Sequence, residues 1–420
     1  MTTKLSDEAV PHQCADCAVP VIVLGGGVTA AAVLTLLAQA KIPSYTIAPL
    51  GDFVRRSRWH RDLPVSGLQP SIENLAAFLN QLSLEHAVLM PCSDDWASAV
   101  ASLPGTLSTR FPSSTPSVET LNILVDKWKF AEVLEREAIP HPRTRLVHSF
   151  QELSNLSDSE FHGAILKPLS SVEFARKYGV KGFVVNNQDE ALVTMRKADF
   201  PIMLQEFIPG PPAAGYFLDG FVDRTGRICG LLARQRLRMS PPKLGNSTLM
   251  VTVPLSEVSP AAESLKRLLG VLEYRGTFSA EFKFDERDGR FKLFEINARP
   301  WWYVEFAANC GVDVCSMAYR DALGMPLEAT QQYEVGRRGV FFVHDLRAWK
   351  EQRPSGVSLW AWIQPWFGAD STPFHWNDPA PAIAYARKII HENKLKRARE
   401  KNEELQHRTT SAPVKFKPTF

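Results

Sequence analysis

A candidate β-hairpin in the second half of the chain constrains its fold more than any other segment. Polar and apolar residues alternate along 276–285 and again along 290–299, with the two-residue period that is typical of strands. Asp288–Gly289 lies between the two arms and is a common turn signal. The segment therefore predicts two antiparallel strands that carry one glutamate each, Glu281 and Glu295.

The register of this hairpin decides which side chains meet. A three-residue loop over 287–289 places Glu281 opposite Glu295. Asn297 joins them, because side chains two positions apart share a face of a strand. A two-residue loop would slip the pairing by one residue and mix the two faces, which is unfavourable when one face is buried. The apolar pairs expected on the other face are Phe282 with Phe294 and Ala280 with Ile296.

Two carboxylates that face each other across a strand pair repel, so they need a compensating charge. A hard divalent cation supplies it, and Mg²⁺ commonly binds one or two carboxylates together with phosphate oxygens. Glu281, Glu295 and Asn297 are therefore candidate metal ligands. The hairpin alone also allows a solvated face with two unrelated glutamates.

Composition and charge exclude several classes of protein. The 48 basic and 45 acidic side chains give a net charge of +3, which does not favour nucleic acid as a partner. The longest strongly apolar run, 30–40, is too short to span a bilayer, and the polar N-terminus lacks the apolar core of a signal peptide. We therefore expect a cytoplasmic protein without a membrane partner. Cys14 and Cys17 lie near His12 but lack a fourth zinc ligand, so incidental thiols are expected.

The sequence pattern divides the chain into five regions: a flexible tail (1–19), an N-terminal domain (20–118), a second domain (119–330), a tryptophan-rich extension (331–390) and a charged tail (391–420). Strands alternate with helices in the N-terminal domain, which predicts a parallel α/β sheet. Hairpins mix with helices in the second domain, which predicts α+β. The extension could cover a substrate pocket, form a homodimer contact or pack. Packing is favoured, because large aromatic side chains commonly form cores.

The individual elements follow from periodicity and from turn residues. The predicted strands are 21–24, 45–48, 87–90, 164–168, 180–186 and 202–207, with a hairpin over 216–238. The predicted helices are 29–40, 74–84, 126–138, 263–272 and a charged one over 387–407.

A glycine turn after the first strand loosely matches a dinucleotide-binding fingerprint, Gly25-x-Gly27-x-x-Ala30. A nicotinamide-binding unit should carry an acid at the end of the second strand to hold the ribose. The strand 45–48 ends in Ile-Ala and is followed by Pro and Leu, with no acid. A plain strand-to-helix turn is therefore favoured over an NAD site.

Two lysines and one loop could serve a nucleotide. Lys127 opens a helix, and Lys167 ends a strand before Pro168; cations at such points can hold polyphosphate oxygens. The exit of the strand at 204–210 could pair its backbone groups with a purine edge. Each lysine alone is more commonly a surface residue, and the loop alone is more commonly a plain turn.

Four arginines stand out by position. Arg234, Arg236 and Arg238 alternate along one strand, so they share a face that should lie in solvent or against an anionic ligand rather than in the core. Arg299 follows Asn297 by two residues and shares its face, where a planar cation suits a developing phosphoryl or carbonyl anion.

In this order, the features resemble the ATP-grasp superfamily, and within it the carboxylate–amine ligases, a group that includes D-aspartate ligases and biotin-carboxylase-like enzymes. The resemblance extends over about residues 20–325. It implies a small N-terminal parallel-sheet domain followed by a two-lobed ATP-grasp domain, with a lid over about 150–205. It also implies that the N-terminal domain helps to bind substrate.

The resemblance assigns roles to the matching residues. Lys127 and Lys167 would contact the phosphates of ATP. The adenine-binding hinge would consist of Gln205, Glu206 and Ile208. The ligands of two Mg²⁺ ions, with Mn²⁺ as an alternative, would be Glu281, Glu295 and Asn297. Arg299 would stabilise the reacting phosphate, and Arg234 and Arg238 would face triphosphate or substrate.

Two departures from the family pattern bear on ATP binding. Members usually carry an acid after the hinge glycine to hold the ribose, whereas this chain has 211–214 without an acid, and Asp219 is the candidate replacement. The phosphate loop after Lys167 is usually rich in glycine, whereas residues 170–179 contain only one, Gly179.

The resemblance implies a Mg²⁺- and ATP-dependent ligase. It would join a small-molecule carboxylate to an amine, with amino acids or peptides as expected substrates, through an acylphosphate. The alternatives are a nucleotide-binding sensor or scaffold without ligase activity and, with less support, an NAD-dependent oxidoreductase.

Overall fold

A computed structural model describes residues 18–64, 69–169, 182–196, 199–242, 245–330, 332–352, 357–372, 374–392 and 394–395. The expectations for Cys14, Cys17, His12 and the phosphate loop 170–179 lie outside these residues, as do most residues of the predicted tails 1–19 and 391–420. In the described part of the chain, no helix combines the length and the apolar character that crossing a membrane requires.

The N-terminal region forms a three-stranded parallel sheet in the order β2-β1-β3. Because the strands are parallel, the turns after β1 and β3 meet at one edge, where Gly25 lies against Trp96 and Cys92. The elements are β1 (Val21–Leu24), α1 (Gly27–Gln39), β2 (Ser44–Ile47), α2 (Leu75–Gln81), β3 (Val88–Pro91), α3 (Asp94–Ala101) and α4 (Gly105–Arg110).

Two helices, α5 (Val118–Val125) and α6 (Lys127–Arg136), lead to a four-stranded antiparallel sheet in the order β4-β7-β5-β6, which we call the lid sheet. It encloses a core of its own that includes Val147, Phe161 and Leu166. Its elements are β4 (Thr144–Val147), α7 (Phe150–Ser154), β5 (Ala164–Pro168), β6 (Phe183–Val185), α8 (Gln188–Met195) and β7 (Ile202–Glu206).

The remaining strands form a large sheet in the order β12-β11-β8-β9-β10-β13-β14. Its strands are β8 (Gly215–Val222), β9 (Ile228–Ser240), β10 (Asn246–Val253), β11 (Gly276–Asp285), β12 (Arg290–Asn297), β13 (Arg338–Val340) and β14 (Asp370–Ser371). Its helices are α9 (Ser259–Val271), α10 (Val304–Asn309), α11 (Val314–Ala322), α12 (Phe342–Gln352), α13 (Leu359–Ile363) and α14, over 380–392. Short 3₁₀ turns are Phe53–Arg56, Asp158–Phe161, Pro212–Ala214, Leu255–Val258 and Gln364–Trp366.

The N-terminal region packs on the large sheet through α1. Helices α5, α6 and α9 share a core with one face of the large sheet, and α10 and α11 cover the other. Helix α1 contacts α10 and α11, and its residues from Val28 to Leu37 are buried. This contact brings the edge after β1 and β3 close to the end of β12.

The predicted combination of a parallel α/β unit with an α+β region is confirmed. The strand 164–168 is found as predicted, and Asp126 caps α6 as expected. The ends of the first four predicted helices differ from the structure by up to four residues. The charged helix predicted over 387–407 begins at 380, and its residues after 395 lie outside the described part of the chain. Strand β10 was not predicted.

The β11–β12 register is partly as predicted. The pairs found as predicted are Glu281 with Glu295 and Ala280 with Ile296. The expected pair of Phe282 with Phe294 is wrong, because Phe282 lies opposite Leu293. The turn has four residues, 286–289, and one extra residue of β12 bulges next to Glu295, which restores the predicted pairing beyond the bulge.

Candidate functional site

Three oxygen-bearing side chains at the open end of the β11–β12 hairpin form what we call the carboxylate face: Glu281, Glu295 and Asn297. Arg236 donates to Oε1 of Glu281 at 2.8 Å, and the amide nitrogen of Asn297 lies 3.4 Å from Glu295 Oε1. Glu295 is exposed, whereas Glu281 is half-buried. Among the described contacts, Arg236 therefore pairs with Glu281, whereas Glu295 contacts only the amide of Asn297.

Arg299 links the carboxylate face to the N-terminal region. It donates to Oδ1 of Asn297 at 3.0 Å and to the Pro300 carbonyl at 3.1 Å. It also holds both carboxylate oxygens of Asp94, at 3.0 and 3.4 Å. Asp94 is the first residue of α3, at the carboxyl edge of the parallel sheet. The predicted catalytic arginine therefore lies where the two parts of the chain meet.

The lid sheet brings Lys167 to the same place. Its ammonium donates to Gln205 Oε1 at 2.7 Å and lies 5.8 Å from the ring centroid of Phe294, the residue next to Glu295. Gln205 in turn donates to Thr144 Oγ1 at 3.0 Å. The lysine that is predicted to bind phosphate thus lies beside the strand that is predicted to bind the metal ion.

The predicted hinge is tied to the hairpin by ionic contacts. Glu206 accepts from Arg287 at 2.7 Å and lies 3.7 Å from Lys292. Lys283 donates to the carbonyl of buried Ile208 at 2.8 Å. Burial lowers the pKa of Lys283, and nearby Arg236 lowers it further. The side chain of Glu206 therefore serves the hairpin, and the assignment of the hinge to adenine stays a prediction.

The structure places Lys127 at the first position of α6, directly after the capping residue Asp126, whose carboxylate accepts from the backbone of Trp128 and Lys129. Its side chain is half-buried. Its assignment to phosphate binding stays a prediction.

The arginine row of β9 corrects one expectation. Arg234 is only 3% exposed and pairs with Asp219 at 2.5 Å. The expectation that the arginine row lies outside the core is therefore wrong. Arg238 donates to Asp345 and to the Trp362 carbonyl, both at 2.8 Å. These contacts give Arg234 and Arg238 a role in packing, and their catalytic role remains a prediction without support from the geometry.

Asp219 is also unsuited to replace the missing ribose-binding acid. It is fully buried, and its carboxylate is taken by Arg234. Burial raises the pKa of Asp219, and the guanidinium of Arg234 opposes that rise. A buried, paired carboxylate of this kind contributes to the core and is closed to a ligand.

Three residues that were not assigned to the site contact it: Arg236, Asp94 and Lys283. The alternation that singled out the β9 row contains Arg236, and its pairing with Glu281 required the sheet order. Lys283 shares a face with Glu281, two residues earlier, and this spacing was visible in the sequence.

The glycine turn supports the plain strand-to-helix interpretation. The amide of Gly27 at the start of α1 donates to both carboxylate oxygens of Asp52, at 3.1 and 3.2 Å. Gly26 allows this approach, because a side chain there would collide with Asp52. A protein carboxylate therefore holds the position that a dinucleotide phosphate would need.

Four of the five tryptophans of the C-terminal extension divide into two groups. Trp362 is buried against Arg238, and Trp366 donates to buried Asp345 at 2.8 Å. By contrast, Trp360 and Trp376 are 64% and 90% exposed. The expectation of packing holds for the first group only.

A cavity of about 360 Å³ lies next to Arg299. The turn before α1 and Phe53 form one wall, Trp302 another, and α14 closes it with Tyr385 and Ile389. It is therefore built from the N-terminal region, the large sheet and the C-terminal extension together.

The donor set of the carboxylate face suits Mg²⁺. In the part of the chain that the structure describes, no cluster of three His, Cys, Asp or Glu side chains could hold a metal. The carboxylate face offers two carboxylates and an amide, which is typical of an ion that completes its shell with phosphate oxygens and water. Arg236 occupies Oε1 of Glu281, and the described contacts leave Oε2 for a cation.

A small parallel sheet, a lid sheet and a large sheet with acidic residues on its last hairpin define the ATP-grasp fold, and the predicted resemblance to this superfamily is confirmed. A D-aspartate ligase from Enterococcus faecium is 26% identical over 248 residues, which cover 56% of this chain and 58% of that relative. The chain thus spans less than two thirds of that relative's length. No family model matches the chain.

Two solved structures extend the comparison. The biotin carboxylase domain of a Hydrogenobacter thermophilus 2-oxoglutarate carboxylase, in complex with MgADP and bicarbonate, has a TM-score of 0.60 at 16% identity and covers 76% of this chain and 73% of its own. An L-amino acid ligase from Bacillus licheniformis has a TM-score of 0.55 at 15% identity and covers 74% and 75%. At these identities, both similarities establish the fold alone.

Proposed function

We propose that the protein is an ATP- and Mg²⁺-dependent ligase that joins a carboxylate to an amine through an acylphosphate. Two contacts support the proposal: Arg299 donates to Asn297 of the carboxylate face, and the lid-sheet Lys167 lies beside Phe294, the residue next to Glu295. A site for the terminal phosphates of a nucleotide needs these three groups together.

The chain's own residues position the reactants. Lys167 and Lys127 bind phosphate oxygens, and the backbone of the hinge at Gln205–Ile208 binds the adenine. The carboxylate face would hold Mg²⁺, which would supply positive charge to the phosphates of the nucleotide. Arg299 stabilises the negative charge that develops on the transferred phosphoryl group. Catalysis rests on positioning and electrostatics, so no protein nucleophile is required.

The chemistry balances in two steps. An oxygen of the substrate carboxylate attacks the γ-phosphorus, the bond to the β-phosphate oxygen breaks, and ADP leaves. The amine nitrogen then attacks the acyl carbon and phosphate leaves, while the amine loses a proton to phosphate or water. The products are an amide, ADP and phosphate. The lid sheet excludes water that would hydrolyse the acylphosphate.

The relatives support this proposal by their activities. One is a D-aspartate ligase and another an L-amino acid ligase, so amino acids are the first substrates to test. The structure that contains MgADP supports ATP and Mg²⁺ as the nucleotide and the ion.

Hydroxylamine tests the proposal without knowledge of the amine. It should trap the acylphosphate as a hydroxamate when protein, Mg²⁺, ATP and a panel of single amino acids are combined. We expect hydroxamate and ADP in equal amounts, dependent on the acid. Stabilisation by Mg-ATP without acid-dependent ADP or hydroxamate would favour a nucleotide-binding sensor, and stabilisation by NADH alone would favour the oxidoreductase.

A further inference from the structure

The C-terminal extension helps to build the cavity beside Arg299. Its helix α14 contributes Tyr385, Lys388 and Ile389 to the lining, opposite Phe53 of the N-terminal region and Trp302 of the large-sheet region. At about 360 Å³, the cavity is at the small end of the range for ligand sites. It is large enough for an amino acid with a bulky side chain.

The position of α14 is fixed by direct contacts with the N-terminal region. The Tyr385 ring meets Phe53 edge-on with centroids 4.9 Å apart, and its hydroxyl lies 2.7 Å from His344 Nε2. Just before the helix, Asp378 accepts from Ser57 Oγ at 2.5 Å and from the Arg58 amide at 3.1 Å. The cavity wall therefore does not depend on a ligand to hold it in place.

The lining of the cavity combines apolar and charged side chains. Phe53, Trp302, Tyr385 and Ile389 supply aromatic and aliphatic surface. Arg299 lies at the end next to the carboxylate face, and the described contacts use four of its five N–H groups. Two further charged residues, Lys388 and Glu392 of α14, also line the cavity and are exposed.

We propose that this cavity binds the carboxylate substrate, and that the substrate is an amino acid or short peptide with a large apolar side chain. Its carboxylate lies at Arg299, beside the site of phosphoryl transfer, and its side chain contacts Trp302, Phe53 and Ile389. This inference rests on the ligase function proposed above and adds the class of substrate.

The same walls select against acidic side chains. A second carboxylate inside the cavity would lose its water without a compensating charge, because Lys388 and Glu392, which both line the cavity, carry no net charge between them. Apolar burial favours leucine or phenylalanine over alanine, by about tenfold or more in kcat/KM. Aspartate should therefore be a poor substrate, in contrast to the D-aspartate ligase that the chain resembles.

A matched pair of substitutions tests the cavity. Ile389 lines it, whereas its neighbour Ile390 is 55% exposed and does not line it. Ile389→Trp should fill the space and lower kcat/KM for phenylalanine at least tenfold, measured as hydroxamate formation, with the KM for ATP unchanged. Ile390→Trp should leave both values unchanged. Thermal unfolding of both variants checks that they fold.

Calorimetric binding of phenylalanine and aspartate in the presence of MgADP separates the two proposals. If phenylalanine binds the natural protein but not Ile389→Trp, the cavity inference stands even when no hydroxamate forms, and the ligase function alone fails. Preferred use of aspartate or alanine, or equal phenylalanine binding by the natural protein and Ile389→Trp, would overturn the inference while leaving the ligase function intact.

Discussion

Both ends of the β11–β12 hairpin carry acidic side chains, but the two ends differ in how the negative charge is compensated. At the turn end, buried Asp285 accepts from Arg287 at 2.7 and 2.8 Å and from Lys292 at 2.8 Å. At the open end, Glu281 and Glu295 face each other, and the described contacts pair Arg236 with Glu281 but not with Glu295.

The charges at the turn end stabilise the fold, whereas the charges at the open end are available to a ligand. Hydrogen bonds from Arg287, and then from Lys292, hold the pKa of Asp285 well below its ordinary value although burial opposes this. The turn end is therefore complete without a partner. At the open end, no described contact pairs Glu295 with a cation, so its charge stays in excess opposite Glu281, which folding alone would not favour. A bound cation removes this excess, so the open end fits a metal site.

The largest effect is expected at the open end. Glu295→Gln removes one ligand charge with almost no change in shape, and should lower kcat for acid-dependent ADP release by about 10³-fold or more. The control is Glu286→Gln on the exposed turn of the same hairpin, which should leave kcat unchanged. Near-normal turnover of Glu295→Gln would remove Glu295 from the metal site.

The turn end should respond in stability instead. Asp285→Asn leaves Lys292 and Arg287 without their buried partner and should lower the free energy of unfolding by about 3 kcal/mol. Urea denaturation measures this value. Glu295→Gln should be neutral or slightly stabilising in the same assay, because it relieves repulsion with Glu281. If both substitutions destabilised the fold equally, the distinction between the two ends would fail.

Substitution of Lys167 tests whether the open end of the hairpin binds a nucleotide. Lys167→Ala removes a charged donor next to β12 and should raise the KM for ATP about tenfold, with a smaller change in kcat. Lys129→Ala, on the exposed face of α6, is the matched control and should have no effect. An unaltered KM for ATP in Lys167→Ala would contradict its phosphate role.

Low pH should reduce the contribution of Asp285 at the turn end to the stability of the fold. Because the folded pKa of Asp285 is depressed, its stabilisation is complete above the ordinary value of 3.8 and is lost as the pH falls below it. The stability gap between the natural protein and Asp285→Asn should therefore narrow from pH 5 to pH 3 in urea denaturation. A constant gap over this range would show that Asp285 acts by packing rather than by charge.

The sequence predicted the elements better than the contacts between them. Alternation and the turn residues were sufficient to pair Glu281 with Glu295. They missed the bulge next to Glu295, because a bulged strand and a strand with a shorter turn give the same pairing beyond the bulge. The loop length and the Phe282 partner were wrong for that reason.

The arginine row shows where sequence patterns stop being informative. A row of like charges suggested an exposed face, yet Asp219, Glu281 and Asp345 come from three distant segments to pair with it. The sheet order, in which β8 lies next to β9 and β11 lies next to β8, brings side chains of these strands to the same face as the arginines. The cavity behind Arg299 was unpredictable in the same way, since it requires the docking of α14 on the N-terminal region.

Calorimetric titration of ATP tests the central claim most directly, because it needs no substrate. In the natural protein, Mg²⁺ should tighten ATP binding at least tenfold relative to the same titration in EDTA. The double variant Glu281→Gln/Glu295→Gln should bind metal-free ATP at least as well as the natural protein and gain nothing from Mg²⁺. An equal gain from Mg²⁺ in both proteins would contradict the metal assignment.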